Sequence, residues 1–296
     1  MKGIFSEPEM RISVVIPAFD RLDSLRSVLR SWAQPDNEIE LILVDDKSPN
    51  ADALRKTAAD CNAVYVRNES ARSEREPALC RNLGFEASLG DIIVFNDADI
   101  IAAPNAAELF VRYHTTVENA VVDAQVWSIS GGQVAVDSLN SFALDELTSV
   151  SKPFYQAEID WSTASRPRSS NNWWAFLSAQ CSFKRETLMA VGGWDREYSG
   201  WGVEDNDMGY RICAKGFGIL YARDIPCFHI DHAVSREEYM EKCRSALRNL
   251  KRMSEKYPEV MKDDRVRSRI KELEGLVKTN LAKISRQSTA GGGPIT

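Results

Sequence analysis

The stretch DIIVFNDADI, residues 91–100, decides how this chain is read. Its first half is an apolar, β-branched run of the kind that forms a strand buried on both faces. Its second half places Asp97 and Asp99 two residues apart. On an extended backbone, residues i and i+2 project to the same side, so the two carboxylates are expected together at the strand's carboxyl end. Paired hard-oxygen donors there suit Mg²⁺ or Mn²⁺. A D-x-D also arises as a plain turn cap, so the surrounding chain has to carry the choice.

Working outward, the same pattern recurs. ISVVIPAF (12–19) is a β-branched strand stopped at Pro17, and IELILVDD (39–46) is another that ends in acids. Between them, Leu22, Leu25, Val28, Leu29 and Trp32 fall at helical spacing. A helix through 51–61, a strand at 63–66 and a helix through 76–88 complete the series. Strand–helix–strand alternation predicts an α/β fold with a mostly parallel central sheet flanked by helices. Ligands of such sheets bind beyond the carboxyl ends of the strands. Asp20, Arg21, Asp45, Asp46, Asp97 and Asp99 are thereby gathered in one place.

The second half gives weaker signals. A helix is expected at 104–118, a turn with flanking strand at SISGGQVAV (128–136), and a loop at SRPRSSNN (165–172). SAQCSFKRETLMAVGGW reads as a strand followed by a helix stopped by Gly192 and Gly193. ILYARDIPCFHI returns to strand, and from Ser235 the chain reads as helix interrupted near Pro258. The expected organisation is a domain over 1–234, with halves at about 11–110 and 111–234, a helical extension at 235–286 and a disordered tail at 287–296.

The net charge of -6 over 296 residues argues against general nucleic-acid binding. The charge is uneven: residues 236–286 carry fifteen Lys/Arg against nine Asp/Glu, an excess of six. A solvated helical surface is the plain reading of that mixture; peripheral membrane contact or self-association through these helices is the sharper one. Six scattered cysteines without a C-x-x-C pair, no apolar leader and no eighteen-residue apolar run lead to an expectation of reduced thiols and a cytoplasmic location.

Metal held by few protein ligands is usually completed by substrate phosphates. Neither a P-loop nor G-x-G-x-x-G is present, so a diphosphate beside the D-x-D suggests a nucleotide-sugar. VDDKSPN (44–50) could accept hydrogen bonds from a uracil ring or ribose, or simply cap a helix. Arg21, Arg75 and Arg81 could pair with phosphates. Of the three histidines, His114 sits on a helix with nothing special near it, whereas His229 and His232, in FHIDH, could either one supply a further metal ligand. Finally, GWGVEDNDMGYR (200–211) crowds Glu204, Asp205 and Asp207 beside Trp201.

ISVVIPAFDR, VDDKSPN, ALCRNLGFEASLGDIIVFNDADI and GGWDREYSGWGVEDNDMGYRI occur in the order seen in GT-A glycosyltransferases. The N-terminal part resembles glycosyltransferase family 2, and 171–211 resembles the C-terminal module of β-1,4-galactosyltransferases and chondroitin-type polymerases. The resemblance covers about 11–234. It implies a GT-A fold and a metal-dependent, inverting transfer of a hexose or N-acetylhexosamine from a UDP-sugar to a hydroxyl of a carbohydrate, glycolipid or peptide acceptor. It implies Pro17, Phe19, Arg21, Asp45, Asp46, Arg81, Asp97, Trp201 and Gly202 as the nucleotide-sugar set. Asp97 and Asp99 with His229 or His232 would hold Mn²⁺ or Mg²⁺. Asp205 would be the base, with Glu204 orienting the acceptor or taking its place. Lys47 stands where the family often has Gly, and Asn206 where galactosyltransferases carry another acid. Two other readings stay open from the residues: a nucleotidyl- or phosphoryl-transferring enzyme, and a non-catalytic UDP-sugar- or carbohydrate-binding subunit.

Overall fold

The computed structural model describes residues 10–33, 39–129, 147, 151–153 and 170–290. The chain divides into two compact units, one formed by 1–196 with 205–232 and the other by 197–204 with 233–296. Trp201, Gly202 and Glu204 therefore belong to the second unit, and Asp205 to the first.

The first unit is built on a nine-stranded sheet. Its strands are β1 (Ile12–Ala18), β2 (Ile39–Asp45), β3 (Val64–Arg67), β4 (Ile92–Asn96), β5 (Ile100–Ala102), β6 (Ala120–Ile129), β7 (Ser151–Pro153), β8 (Gln180–Lys184) and β9 (Gly218–Ile230). They run in the order β3-β2-β1-β4-β8-β6-β9-β5, with β7 paired to β6. The first four strands pair in parallel, as the alternation predicts. Beyond β4 the sheet becomes mixed: β8 is antiparallel to β4 and β6, β9 is parallel to β6, and β5 is antiparallel to β9. The α/β class thus holds, while the parallel character is confined to one half and the β6–β9 pair.

Both faces are covered, which is why the strands read as unbroken apolar runs. Val14 and Ile16 face a cluster with Leu25, Leu29, Trp32 and Phe110, whereas Val15 faces one with Phe95, Phe183, Trp194 and Met208. The first cluster is closed by α1 (Leu22–Trp32), whose Leu25, Val28, Leu29 and Trp32 are buried as their spacing demands. Burying each such side chain is worth roughly 1.5–3 kcal/mol. Trp32 stacks on Phe110 of α4 (Ala106–Thr116) at 6.5 Å. On the other face α3 (Pro77–Ala87) comes so near β1 that a Cβ on Gly84 would lie 2.2 Å from Val15 Cγ1. α2 (Ala51–Asp60) joins β2 to β3. After β8, α5 (Arg185–Val191) ends at Gly192, whose φ of 90° is the left-handed cap expected of glycine. Helix α6 (Glu204–Ala214) leads into β9.

The turn expected at 128–136 falls outside the described residues from position 130 on, as do 165–169 of the expected loop. Residues Ser170–Ala175 form a 3₁₀ helix rather than a continuation of that loop.

The second unit is a pair of helices, α7 (Arg236–Lys256) and α8 (Asp264–Ala290), joined by a 3₁₀ turn over Pro258–Lys262. Ser235 and Glu238 close a capping box at the start of α7. α8 runs through Ala290, past the expected limit at 286. Several charges of this unit are paired within it: Lys251–Glu274, Arg244–Glu241, Arg269–Glu272 and Arg265–Asp263 form ion pairs at 2.6–2.8 Å. Such exposed pairs add little stability but describe a solvated helical surface. No helix of the described residues is long and apolar enough to cross a membrane.

Candidate active site

The carboxyl ends of β1, β2 and β4 collect the polar residues. At β1 and β2, Asp20 takes a positive φ of 49°, its amide donates to Ser48 Oγ, and its carboxylate accepts from Asn50. Phe19 lies beneath the Arg75 guanidinium, 4.3 Å from ring centroid to Cζ. Pro17 sits within β1 opposite Val44. Asp45 is fully buried: one oxygen accepts from the Ser48 amide, the other from Tyr65 Oη and the Arg67 guanidinium. Asp46 accepts from Asn68 Nδ2 at 2.8 Å and from the Glu76 amide at 2.6 Å. Both acids are thus engaged in shaping the strand end and the loop 68–76. Lys47, at φ 65°, stitches that loop from the other side, donating to the carbonyls of Arg72 and Glu74 and to the Glu76 carboxylate.

The D-x-D departs from the strand geometry expected for it. β4 ends at Asn96, and residues 97–100 form a turn closed by Ile100 N–H to Asp97 O at 3.0 Å. The two carboxylates consequently do not share a side by strand alternation. Asp97 pairs with Arg81 at 3.0 Å, and the Arg81 guanidinium also stacks on Trp194. Burial pushes the Asp97 carboxyl up to about 7, with Arg81 opposing. The side chain is still 37% exposed, so water offsets part of that push.

Asp99 turns to the histidines. Its Oδ1 lies 3.9 Å from His229 Nε2 and its Oδ2 lies 3.5 Å from His232 Nε2. β5 brings this about: Ile100 pairs with His229, and the Ile230 amide donates to Asp99 O. The ring of His232 donates Nδ1–H to the Ile230 carbonyl, and that of His229 donates Nδ1–H to Asp231. Both Nε2 atoms therefore lie on the side of the Asp99 carboxylate. Arg21 joins this group, with Nε 3.8 Å from Asp99 Oδ2 and a terminal nitrogen 2.6 Å from His232 Nε2. Burial, reinforced by the Arg21 charge, lowers the His232 pKa below its ordinary value and favours neutral imidazole. His114, by contrast, is 2% exposed and bonded to Ser182 within the core.

Asp99, His229 and His232 offer donor atoms within 4.8 Å of one another. Donors around one small divalent ion at roughly 2.1 Å stand about 3–4 Å apart. The two distances from Asp99 fall in that range, and with each Nδ1 donating elsewhere it is the Nε2 atoms that would face an ion, the Arg21 nitrogen giving way at His232, so the residues fit a divalent cation. Both histidines, rather than one, complete that set. Asp97 lies outside it.

Asp205, at the start of α6, accepts a 2.5 Å hydrogen bond from Ser178 Oγ. The third acid of the crowded stretch is different in kind: Asp207 is fully buried and holds Arg211 at 2.6 Å, and Arg211 in turn donates to the carbonyls of Val191 and Gly193. Asn206 donates to the Trp174 carbonyl. In the second unit, the loop 197–204 is laced to α7. Ser245 Oγ accepts from the Trp201 amide, and Asn249 donates to the carbonyls of Ser199 and Gly202. Trp201 is 48% exposed, with Lys242 over its ring. Val203 precedes Glu204 at φ 78°, a strained value for a β-branched residue. Ser178 and Asp231, which orient Asp205 and His229, were not singled out by the sequence; only FHIDH held a hint, in an acid between two histidines.

Known proteins bear on this geometry. A family model described as glycosyl transferase family 2 matches residues 13–176, more than half the chain, and one described as the N-terminal domain of galactosyltransferase matches 162–233. The uncharacterized glycosyltransferase YfnE of Bacillus subtilis is 24% identical over 75% of this chain and 65% of its own length. The chondroitin synthase of Escherichia coli is 27% identical over 69% of this chain and 32% of its own. The chain spans less than two thirds of the length of these relatives. Among solved structures, GalNAc-T7 with UDP, GalNAc and Mn²⁺ aligns at TM-score 0.55 and 20% identity, over 81% of this chain and 48% of that one. The mannosyltransferase PcManGT from Pyrobaculum calidifontis, with GDP-Man and Mn²⁺, aligns at 0.56 and 15%, over 97% and 76%. These structural likenesses carry the GT-A fold. With its parallel β-α half, its turn-borne D-x-D and more than half its length matched, the chain belongs to glycosyl transferase family 2.

Proposed function

We propose that this chain is a divalent-metal-dependent, inverting glycosyltransferase that moves a hexose or N-acetylhexosamine from a UDP-sugar to an acceptor hydroxyl. The observation that carries this reading is the convergence of Asp99 with the Nε2 atoms of His229 and His232, beside Arg21. Imidazole nitrogens beside a carboxylate favour Mn²⁺ over Mg²⁺, which prefers oxygen alone. Bound there, the ion would neutralise charge on the leaving diphosphate. The UDP of the GalNAc-T7 complex supports a uridine donor, and the GDP-Man of PcManGT is the rival that a donor screen has to include.

The protein's own groups divide the work. Asp45 and Asp46, both committed to internal hydrogen bonds, shape the pocket rim, while Phe19 offers a ring face to the base. Arg21 stands close enough to Asp99 to serve a phosphate next to the ion. Asp205 takes the acceptor proton as the acceptor oxygen bonds to the anomeric carbon and the bond from that carbon to the diphosphate breaks, releasing UDP. Attack from the face opposite the leaving group inverts the centre. Ser178 holds one Asp205 oxygen and leaves the other for the proton. Trp201 and Gly202 as a sugar wall, and Glu204 as the acceptor-orienting acid, are assigned by resemblance. Six free thiols support a reducing, cytoplasmic setting.

The test is a screen of UDP- and GDP-sugars with Mn²⁺ and Mg²⁺, read by nucleoside diphosphate release. UDP release dependent on metal is expected. Pyrophosphate or phosphate release would favour a nucleotidyl or phosphoryl transfer, and tight UDP binding without turnover on any acceptor would favour a binding subunit.

A further inference from the structure

Asp123 lies in the middle of β6 as the sole charged residue of AVVDAQVWSI. Its register partners are Cys181 on β8 and Tyr221 on β9, and it is 2% exposed. Nothing in the local pattern calls for an acid there, since an apolar residue of similar size would suit a strand covered on both faces. Its Oδ2 accepts the Leu177 amide at 3.1 Å, and its Oδ1 is buried without a hydrogen-bond partner. A half-satisfied buried carboxyl costs stability.

The Leu177 contact leads straight to the active site. Three consecutive residues, 177 to 179, each bind a different acid. Leu177 N–H goes to Asp123, Ser178 Oγ goes to Asp205, and Ala179 O accepts the Asp97 amide at 2.9 Å. Gln180, next in line, donates to Asn96 at the end of β4. Residues 176–179 have no regular secondary structure of their own, so their hydrogen bonds are what fix their path. Asp123 is the anchor that comes from a central strand.

We infer that Asp123 is a positioning residue for the proposed base: by pinning the Leu177 amide it sets the Ser178 hydroxyl against Asp205. This rests on the reading of Asp205 as the base. Burial, which the nearby Asp205 charge reinforces, raises the Asp123 pKa well above the usual carboxylate range, against the pull of the Leu177 hydrogen bond. That shift favours the neutral form of the anchor.

The experiment compares Asp123→Leu, which removes the acceptor at similar volume, with Asp123→Asn, which retains a carbonyl oxygen for Leu177. Three readouts are taken: kcat for transfer, UDP affinity with Mn²⁺ by calorimetry, and hydrogen exchange of the Leu177 amide in the full chain. Asp123→Leu is expected to lower kcat about 10-fold or more, to hold UDP affinity within about two-fold, and to lose Leu177 protection; Asp123→Asn is expected to recover most of the rate and the protection. Asn as impaired as Leu, unchanged Leu177 protection in Asp123→Leu, or a parallel loss of UDP affinity and kcat would overturn the inference. Amide exchange does not depend on catalysis. A wild-type chain that transfers no sugar, with Leu177 protection lost in Asp123→Leu, would overturn the proposed function instead.

Discussion

His229 donates its Nδ1–H to Asp231 at 3.0 Å, and that single bond aims its Nε2 at Asp99. Ser128 holds the other Asp231 oxygen at 2.5 Å, so the orienting acid is itself fixed from the neighbouring strand. His232 reaches the same result through a backbone carbonyl.

From this follows the expected response to metal. His229→Ala and His232→Ala should each weaken Mn²⁺ binding at least 10-fold, and Asp99→Ala should do as much. Asp231→Asn, which alters only the orientation and basicity of His229, should fall in the 10- to 100-fold range typical of such outer partners or below it. Titration of each variant with Mn²⁺, followed by electron paramagnetic resonance, gives the ranking. Wild-type affinity in both histidine variants would remove the histidines from the site.

Asp205→Asn keeps shape and the Ser178 contact but removes the carboxylate proposed as base. Transfer should drop by roughly 10²-fold or more, with UDP affinity kept within a few-fold. Glu204→Gln should act more on acceptor KM than on kcat. The reverse ranking would exchange the two roles.

His114 gives the fold an acid-sensitive point. Burial, assisted by Lys184, lowers its pKa to about 4 from an ordinary 6.5. The unfolded chain therefore binds the proton first as pH falls. The protein should lose stability between pH 6.5 and 4, by about 3 kcal/mol from this group alone. Denaturant melts of wild type and His114→Gln across that range should converge as the pH drops, because only the wild type bears this loss.

Lys47 tests the departure from the glycine that the family often carries. Its φ of 65° costs a side-chain-bearing residue roughly 1–2 kcal/mol. Its ammonium, however, serves the nearly buried Glu76 and two carbonyls. Lys47→Met should keep the strain and lose the cross-link, costing about 3 kcal/mol; Lys47→Gly should cost less by about the relieved strain. Equal melting temperatures for both variants would show that the backbone term is negligible.

The legible part of the molecule was the part with a short period. β1, β2, β4 and α1 repeat within a few residues, and their faces are as the spacing requires. The histidines of the candidate metal group were legible as a pair, but not the fact that both point one way, which depends on Ile230 and Asp231. The D-x-D was found for a reason that does not hold: the turn at 97–100, not strand alternation, sends Asp97 to Arg81 and Asp99 to the histidines. Asp123 was missed because an acid within an apolar strand carries no local signal; its meaning comes from Leu177, fifty-four positions along the chain. The antiparallel entry of β8 was equally non-local.

The pairing of β5 with β9 has a temporal side. Asp99 emerges from the ribosome well before His229 and His232, and the three residues of β5 find their described strand partner only in β9. The α/β half can begin to fold from nearby contacts, but its edge stays open through synthesis of more than a hundred further residues, a slow, long-range closure. A nascent chain stopped anywhere before residue 229 holds the D-x-D without either histidine. Assembly of the proposed ligand set is thus deferred to a late stage of folding, and a partly made chain lacks the side chains that would complete it.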